Sequence, residues 1–530
     1  MADVPATGRH HVPVLIAGGG VVGLSAAVFL AWYGVPTMVV ERHSEPLADP
    51  RARALNPRTM ELYRAVDLEA AIREVRSPIA DHGVVAHVGT LAGPELKRLP
   101  HRLNADTGSL SPCDWAAIDQ DQLEPLLRDR AVAAGVDVRY GTEVVEVQDG
   151  PDGVVAVLHS HRTGHRQPVR ADYLVAADGA HSPVRRMLGI GHDDIGTLAR
   201  KVNVYFDADL RTPLRGRKIV ALTVRNPAVH GFLTPVDGVK RWRFAISLEP
   251  GQDHVLGETR CVELVRAAIG VDDLPIVIDR VSGTPWEIAG RVTHRMCAGR
   301  VFVAGDAAHT MPPVGTFGVA TGVQDAFNLA WKIALHHRGL AGSGLPASYE
   351  TERLPIARST TELTVERYSL VNGGPGDARA SGLRQRMMMF GYTYAAGAIV
   401  PDGPTPELVE DPDQPSGTPG TRVPHVPPED GGGPTSPVDL MGRGFVLLTG
   451  PAGPDWARIA ADSADRTGVR IDHHRISHPS RDTTSALLGR CGIGDDGALL
   501  IRPDGFIAWR TETAADREAV TTAVNRVLFR

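Results

Sequence analysis

Arg300-Val-Phe-Val-Ala-Gly-Asp-Ala-Ala-His-Thr-Met-Pro-Pro-Val-Gly-Thr-Phe-Gly-Val-Ala-Thr-Gly-Val-Gln-Asp-Ala-Phe-Asn-Leu-Ala-Trp331 is the stretch that decides how this chain folds. Residues 301 to 304 are a short apolar run, the pattern of a buried strand. Gly305 and Asp306 end it, and Pro312-Pro313 rules out helix directly afterwards. Gly315, Gly318 and Gly322 then lead into a segment whose apolar residues keep helical spacing through Ala334. A carboxylate at a strand's carboxyl end, followed by a glycine-rich helix entry, suits a ligand that combines a polyol with an electron-rich ring. The carboxylate accepts a sugar-type hydroxyl, while the helix amides and dipole face negative charge.

Outward from that stretch, the chain has a matching device near its start. Residues 13 to 17 form an apolar strand, followed by Gly18-Gly-Gly20-Val-Val-Gly23, an apolar helix through Trp32, and a second strand ending at Glu41. Gly18 permits the tight turn, Gly20 lets backbone approach a pyrophosphate, and Gly23 lets the helix pack on the strand. Glu41 lies eighteen residues past Gly23 (41 − 23), placed to accept adenosine ribose hydroxyls from FAD or NAD alike, with Arg42 beside it. Asn56-Pro57 reads as a helix start just after Arg51 and Arg53, which either clamp phosphates or form a solvated basic face. Gln120 opens another helix, and a third apolar strand ends on Asp178-Gly179.

The residues Gly305, Asp306, Ala307, Ala308, His309, Pro312, Pro313, Gly315, Gly318, Thr321, Gly322, Asp325 and 328 to 331 resemble the second flavin-binding motif of the FAD-dependent class A aromatic hydroxylases, the single-component flavin monooxygenases. Thr316 stands where that pattern carries a second Gly, and Ala320 where it carries an Asn. The resemblance implies an α/β fold: a Rossmann-like FAD-binding domain, an antiparallel-sheet substrate domain and a thioredoxin-like C-terminal domain. It assigns cofactor binding to Gly18, Gly20, Gly23, Glu41, Arg42, Arg53, Gln120, Asp178, Gly179, Asp306, Pro313, Gly315, Gly318 and Val319. Within that set, Arg53 and Asp178 also lie on the path of a visiting NADPH or NADH, and Gln120 and Asp306 reach the ribityl chain. The activity implied is insertion of one oxygen atom of O2, through a flavin C4a-hydroperoxide, into a phenolic or polycyclic, polyketide-like ring. Baeyer–Villiger insertion or oxidative rearrangement on the same scaffold is an alternative, and so is an FAD-binding protein that captures a ligand without oxygenating it.

Composition bounds the rest. The chain has 530 residues, 42% apolar and 22% charged, a formal charge of −6 and four cysteines with no close pair. These values describe a multidomain globular protein of a reducing compartment, expected to be cytoplasmic, with no broad nucleic-acid or membrane surface, no disulfide frame and no metal site. The expected domains are residues 1–188, with a substrate-domain insertion near 76–112; 189–282 as the sheet; 283–400 as the second FAD-binding part; 401–437 as a Pro/Gly-rich linker; and 438–530 as the tail. In the sheet, Phe206, Phe232, Trp242 and Phe244 either line a pocket or fill the core. Cys491 is the tail's one thiol, so dithiol redox chemistry is not expected there. No substrate-deprotonating base stands out, and the oligomeric state, a homodimer included, is left open.

Overall fold

Five apolar strands build the first layer of the computed structural model, which describes residues 10 to 46, 51 to 99, 107 to 249, 251, 256 to 426, 436 to 476 and 481 to 530. They are β1 (His10–Ala17), β2 (Thr37–Glu41), β3 (Asp137–Tyr140), β4 (Arg166–Ala176) and β5 (Val301–Val303), all parallel in the order β5-β4-β1-β2-β3. Residues such as Val14, Leu15, Ile16, Val39, Leu174 and Phe302 are buried on both faces, the environment a parallel sheet requires. An antiparallel hairpin of Thr142–Gly150 and Gly153–Ser160 extends this sheet from β4. Two helices that follow glycine turns, α1 (Val21–Trp32) and α3 (Phe317–His337), pack on each other through an edge-to-face contact of Phe29 and Phe327 at 4.8 Å. Between them in the chain lies α2 (Gln120–Ala133), and beyond them lie α4 (Gly344–Val371) and α5 (Ala378–Phe390). Helix α5 stops at Phe390, ahead of Gly391.

Register is what places the site. Ala17 sits opposite Val40 and Ala176, and Val303 sits opposite Ala176. Strands β1, β4 and β5 therefore end level, and the three turns that follow them emerge at one edge.

The second sheet has nine strands. Its spatial order runs His309–Thr310, Trp286–Thr293, His192–Asp207, Arg241–Ser247, His230–Pro235, Ile219–Arg225, Val84–Val88 and Glu95–Leu99, with Val277–Val281 also on His192–Asp207. Every pairing is antiparallel except that of Ile219–Arg225 with Val84–Val88, so the expected insertion near 76–112 contributes two strands. Phe206, Trp242 and Phe244 are buried with Leu233, Leu264, Val265 and Ile269 in a core closed by helix Glu258–Ile269. Phe232 has the opposite parity, pairing with Ala245, and is half-buried on the other face. The three core aromatics thus do not line a pocket; Phe232 alone of the four faces away from the helix.

The tail is a four-stranded sheet ordered Ile471–Arg475, Phe445–Thr449, Ala498–Ile501 and Ile507–Thr511, the first pair parallel and the others antiparallel. Cys491 is buried there, and desolvation pushes its thiol up to about 12, so it stays protonated and inert. Of the stretch read as a linker, residues 427 to 435 lie outside the described residues. Thr421, Arg422, Val423 and His425 ahead of it are buried.

Candidate cofactor and substrate site

Close contacts at Gly18, Gly23, Gly305 and Gly322 leave no room for a side chain in the converging turns. Gly18 has φ +108°, and a Cβ there would lie 2.2 Å from the carbonyl oxygen of Ala177, one residue before Asp178. A Cβ on Gly23 would lie 1.9 Å from the oxygen of Gly18, and one on Gly305 would lie 2.8 Å from Val22 of α1. A Cβ on Gly322 would lie 2.5 Å from the same valine. The Asp178-Gly179 turn is tied to the 305–308 turn because Arg185 donates to the carbonyl of Ala307 at 2.8 Å. Glycine is demanded by approach of backbone at 18 and 23 and by the Val22 side chain at 305 and 322, which packs the turns against one another.

The polar groups of this edge are of two kinds. Some are internally answered. Glu41 accepts from the Gly19 N–H at 2.7 Å and from the His43 N–H at 2.9 Å, which orients it at the end of β2. Gln120 donates to Glu124 at 2.8 Å, its backbone N–H donates to Ala52 at 2.8 Å, and the Glu124 carboxyl lies 3.6 Å from where a Cβ on Gly20 would sit. Asp178 accepts from Ser182 Oγ at 2.5 Å and Val184 N–H at 3.0 Å; burial pushes its carboxyl up, against those two bonds. Arg53 makes a two-pronged pair with Asp119 at 3.0 and 2.7 Å and also donates to the carbonyls of Pro235 and Val236, tying the first layer to the second sheet.

Others point outward. Helices α1 and α3 start at Gly20 and Thr316 with no side-chain cap, leaving first-turn amides for a ligand. Gly318 has nothing near its Cβ direction, and Val319 is half-buried beside it; Pro313 and Arg42 are exposed. Gly179 has φ +83° and is equally open. Asp306 is exposed on one side yet walled by protein on the others. Desolvation pushes its carboxyl up, and nearby His309 and Arg51 pull it partway back. Arg51, exposed and electrostatically coupled to Asp306, is freer to meet a ligand than Arg53.

Behind Asp306 lies a fully buried support. Asp325 accepts from the Gly305 N–H at 3.2 Å and from Arg353 Nε at 2.8 Å, and its Oδ2 lies 2.6 Å from His309 Nε2. Burial acts to raise the Asp325 carboxyl, but His309 and Arg353 outweigh it and hold it low. His309 therefore serves this hydrogen-bonded support, not the open side of the cleft.

A family model described as "FAD binding domain" matches residues 11–364, and one described as "Aromatic-ring hydroxylase, C-terminal" matches residues 416–530. The chain belongs to the FAD-binding aromatic-ring hydroxylases. Tetracenomycin B2 monooxygenase-dioxygenase of Streptomyces olivaceus is 38% identical, across 98% of this chain and 99% of its own length. The 4-methyl-5-nitrocatechol 5-monooxygenase of Burkholderia sp is 39% identical across 98% of both. The crystal structure of aklavinone-11 hydroxylase with FAD and aklavinone matches with a TM-score of 0.89 at 34% identity, covering 99% of this chain and 100% of that one.

The hydroxylase cofactor fits what the cleft offers. Uncapped helix starts suit a pyrophosphate and an electron-rich ring, and the exposed Asp306 carboxylate suits a ribityl hydroxyl. Among the described residues no helix is long and apolar enough to cross a membrane. Among the described residues one group has metal-ligand geometry, Glu143, His159 and His161, at the hairpin beside β4 and not in any of the three turns.

The second sheet turns a polar face away from its core. Strand register aligns His87, Thr223, Phe232, Ala245 and Asn203 in one cross-strand row. On the neighbouring row, Arg225 pairs with His230 and Ser247 with Lys201, whose ammonium donates to Ser247 at 2.7 Å. Burial pushes His230 down to about 4, assisted by Lys201, Arg225 and His87, and pushes Lys201 down to about 8. At neutral pH this face offers a neutral imidazole beside an ammonium.

Sequence reading missed these groups, together with Glu124, Asp119 and Arg185 as organisers. Signals existed for two of them. Glu124 is four residues from Gln120 on one helix, and Asp119 with Gln122 spells a capping box, which the structure forms.

Proposed function

We propose that this hydroxylase inserts one oxygen atom of dioxygen into the ring of a phenolic, polyketide-like aromatic substrate, using FAD that NADPH or NADH reduces. The observation that carries this reading is the level ending of β1, β4 and β5, which brings three outward-facing turns to one edge. Once bound and reduced, FAD supplies the oxygen chemistry. The chain's residues do the rest. Glu41 takes the adenosine ribose, the α1 amides from Gly20 take the pyrophosphate, and Asp306 and Gln120 take the ribityl chain. Amides of Gly315, Gly318 and Val319 hold negative charge on the reduced ring, with Pro313 as a wall. Arg53, Arg42, Asp178 and Gly179 complete the set, Arg53 by fixing the sheet against the cofactor layer.

The polar sheet face is the natural seat for the substrate: the neutral His230 accepts from a phenol, and Lys201 favours the phenolate. Support for a polycyclic substrate comes from the relatives that act on tetracenomycin B2 and aklavinone, although the nitrocatechol relative is as similar in sequence. The experiment is NADPH and NADH consumption by the FAD-loaded protein with polycyclic phenols and with nitrocatechols, under labelled dioxygen. A polycyclic phenol should accelerate consumption and gain one labelled oxygen. Acceleration without label in any product contradicts oxygenation.

A further inference from the structure

Helix α5 carries a glutamine that nothing above uses. Gln385 is 1% exposed, and both its Nε2 and its Oε1 are buried with no hydrogen-bond partner. Buried polar groups are nearly always paired, because an unpaired one costs its full desolvation with no return. Gln385 lies against the flavin-facing loop: a Cβ on Gly315 would sit 3.1 Å from its Nε2 and the same distance from the Phe317 ring. That loop is itself unusual. Gly315 has φ +75° and Thr316 has φ +60°, in succession, and among the described residues the main-chain N–H groups of Gly315 and Thr316 have no acceptor. The amide atom nearest Gly315 is Nε2, and a half-turn of the carboxamide exchanges it for the equally unpaired Oε1, which turns an acceptor toward the loop's N–H donors.

We propose that Gln385 is a positioning residue for the cofactor loop: in the FAD-bound enzyme its carboxamide oxygen accepts from the main-chain N–H of Gly315 or Thr316. The pairing fixes the start of α3 and so aims the following amides at the flavin. This rests on the assignment of FAD to the cleft. It accounts for the orphaned amide as a group whose partner is supplied by the liganded arrangement, and for a glycine at 315, since any side chain there would hold Gln385 away.

The test uses full-length Gln385→Leu and Gln385→Met, two apolar side chains of similar volume, so that a packing fault in one does not decide. Thermal midpoints are measured without and with FAD, FAD affinity by flavin fluorescence, and the bound flavin's reduction potential. Removing an unpaired amide should raise the FAD-free midpoint by about 2–4 °C. FAD should bind about tenfold more weakly, and the potential should fall because the charge-stabilising amides are less well held. A lower FAD-free midpoint in both variants, or unchanged affinity and potential, overturns the proposal. Failure of the unsubstituted protein to bind FAD would instead strike the cofactor assignment, and loss of FAD in Asp306→Ala with no change in the Gln385 variants would leave that assignment standing and remove this one.

Discussion

Adjacent residues on α4 belong to two regions built on opposite principles. Arg353 faces the cofactor edge through Asp325, whereas Glu352 faces the C-terminal domain. At that second junction buried charges are paired directly with one another. Glu352 receives both Nη atoms of Arg502 at 2.8 Å and Asn328 at 2.7 Å, with Lys332 Nζ at 2.8 Å. Arg502 also binds Asp504 at 2.9 Å, which takes Trp331 Nε1 at 3.2 Å, and Arg58 donates to the Asp504 carbonyl at 2.9 Å. At the cofactor edge, by contrast, helix starts are uncapped and Asp306 has solvent on its open side. The difference separates what the chain completes by itself from what it reserves for a ligand. The tail, in this light, is a buttress: its Arg502–Asp504 loop braces the helices α3 and α4 that carry the cofactor loop and its support.

The largest effect should come from unbalancing the completed region. Glu352→Gln leaves Lys332 buried without its direct counter-charge and Arg502 with Asp504 alone, and loss of one partner of a buried pair costs about 3–5 kcal/mol. Urea titration of the full chain should show that loss at neutral pH. The pH dependence has a definite sign. Burial acts to raise the Glu352 carboxyl, but Arg502 and Lys332 outweigh it and hold it at about 2. A depressed acid stabilises above its unfolded value, roughly 4.3. Its contribution should therefore disappear as pH falls from that value through the folded one. Glu352→Gln should flatten this part of the acid stability curve; an equally steep curve would mean that other carboxylates set it.

A much smaller effect is expected within the reserved region. Thr316 occupies left-handed backbone, which costs a non-glycine residue roughly 1 kcal/mol. Thr316→Gly should therefore raise FAD-free stability by less than about 1 kcal/mol, since glycine's extra unfolded freedom offsets part of the relief. A clear loss of stability would show that the Thr316 hydroxyl, which donates to Gly315 at 2.7 Å, outweighs the strain.

The contrast also explains what the sequence made legible. Turns that end parallel strands are local: Gly18 to Gly23, Asp178-Gly179 and Gly305-Asp306 carry their meaning within a few residues, so the fold class and the cofactor could be read from them. The aromatic strands could not be resolved. Trp242 and Phe244 plainly share a face, but which face meets helix Glu258–Ile269 depends on packing from elsewhere. The completed junction left no trace, because Glu352 and Arg502 are 150 residues apart (502 − 352) and each looks like an ordinary surface charge in isolation. Arg53 was legible as a cation near the cofactor but not as Asp119's partner, 66 residues away. Gln385 had no signal at all, since an unpaired amide exists only in three dimensions.

The most direct measurement is FAD titration of the full-length protein and of Asp306→Ala, followed by flavin fluorescence and absorbance. The unsubstituted chain should bind one FAD and turn yellow, while Asp306→Ala should keep its fold yet bind FAD at least about tenfold more weakly, the worth of one charge-assisted hydrogen bond. Equal affinity in the two proteins would contradict the assignment of the 301 to 331 stretch as the flavin site.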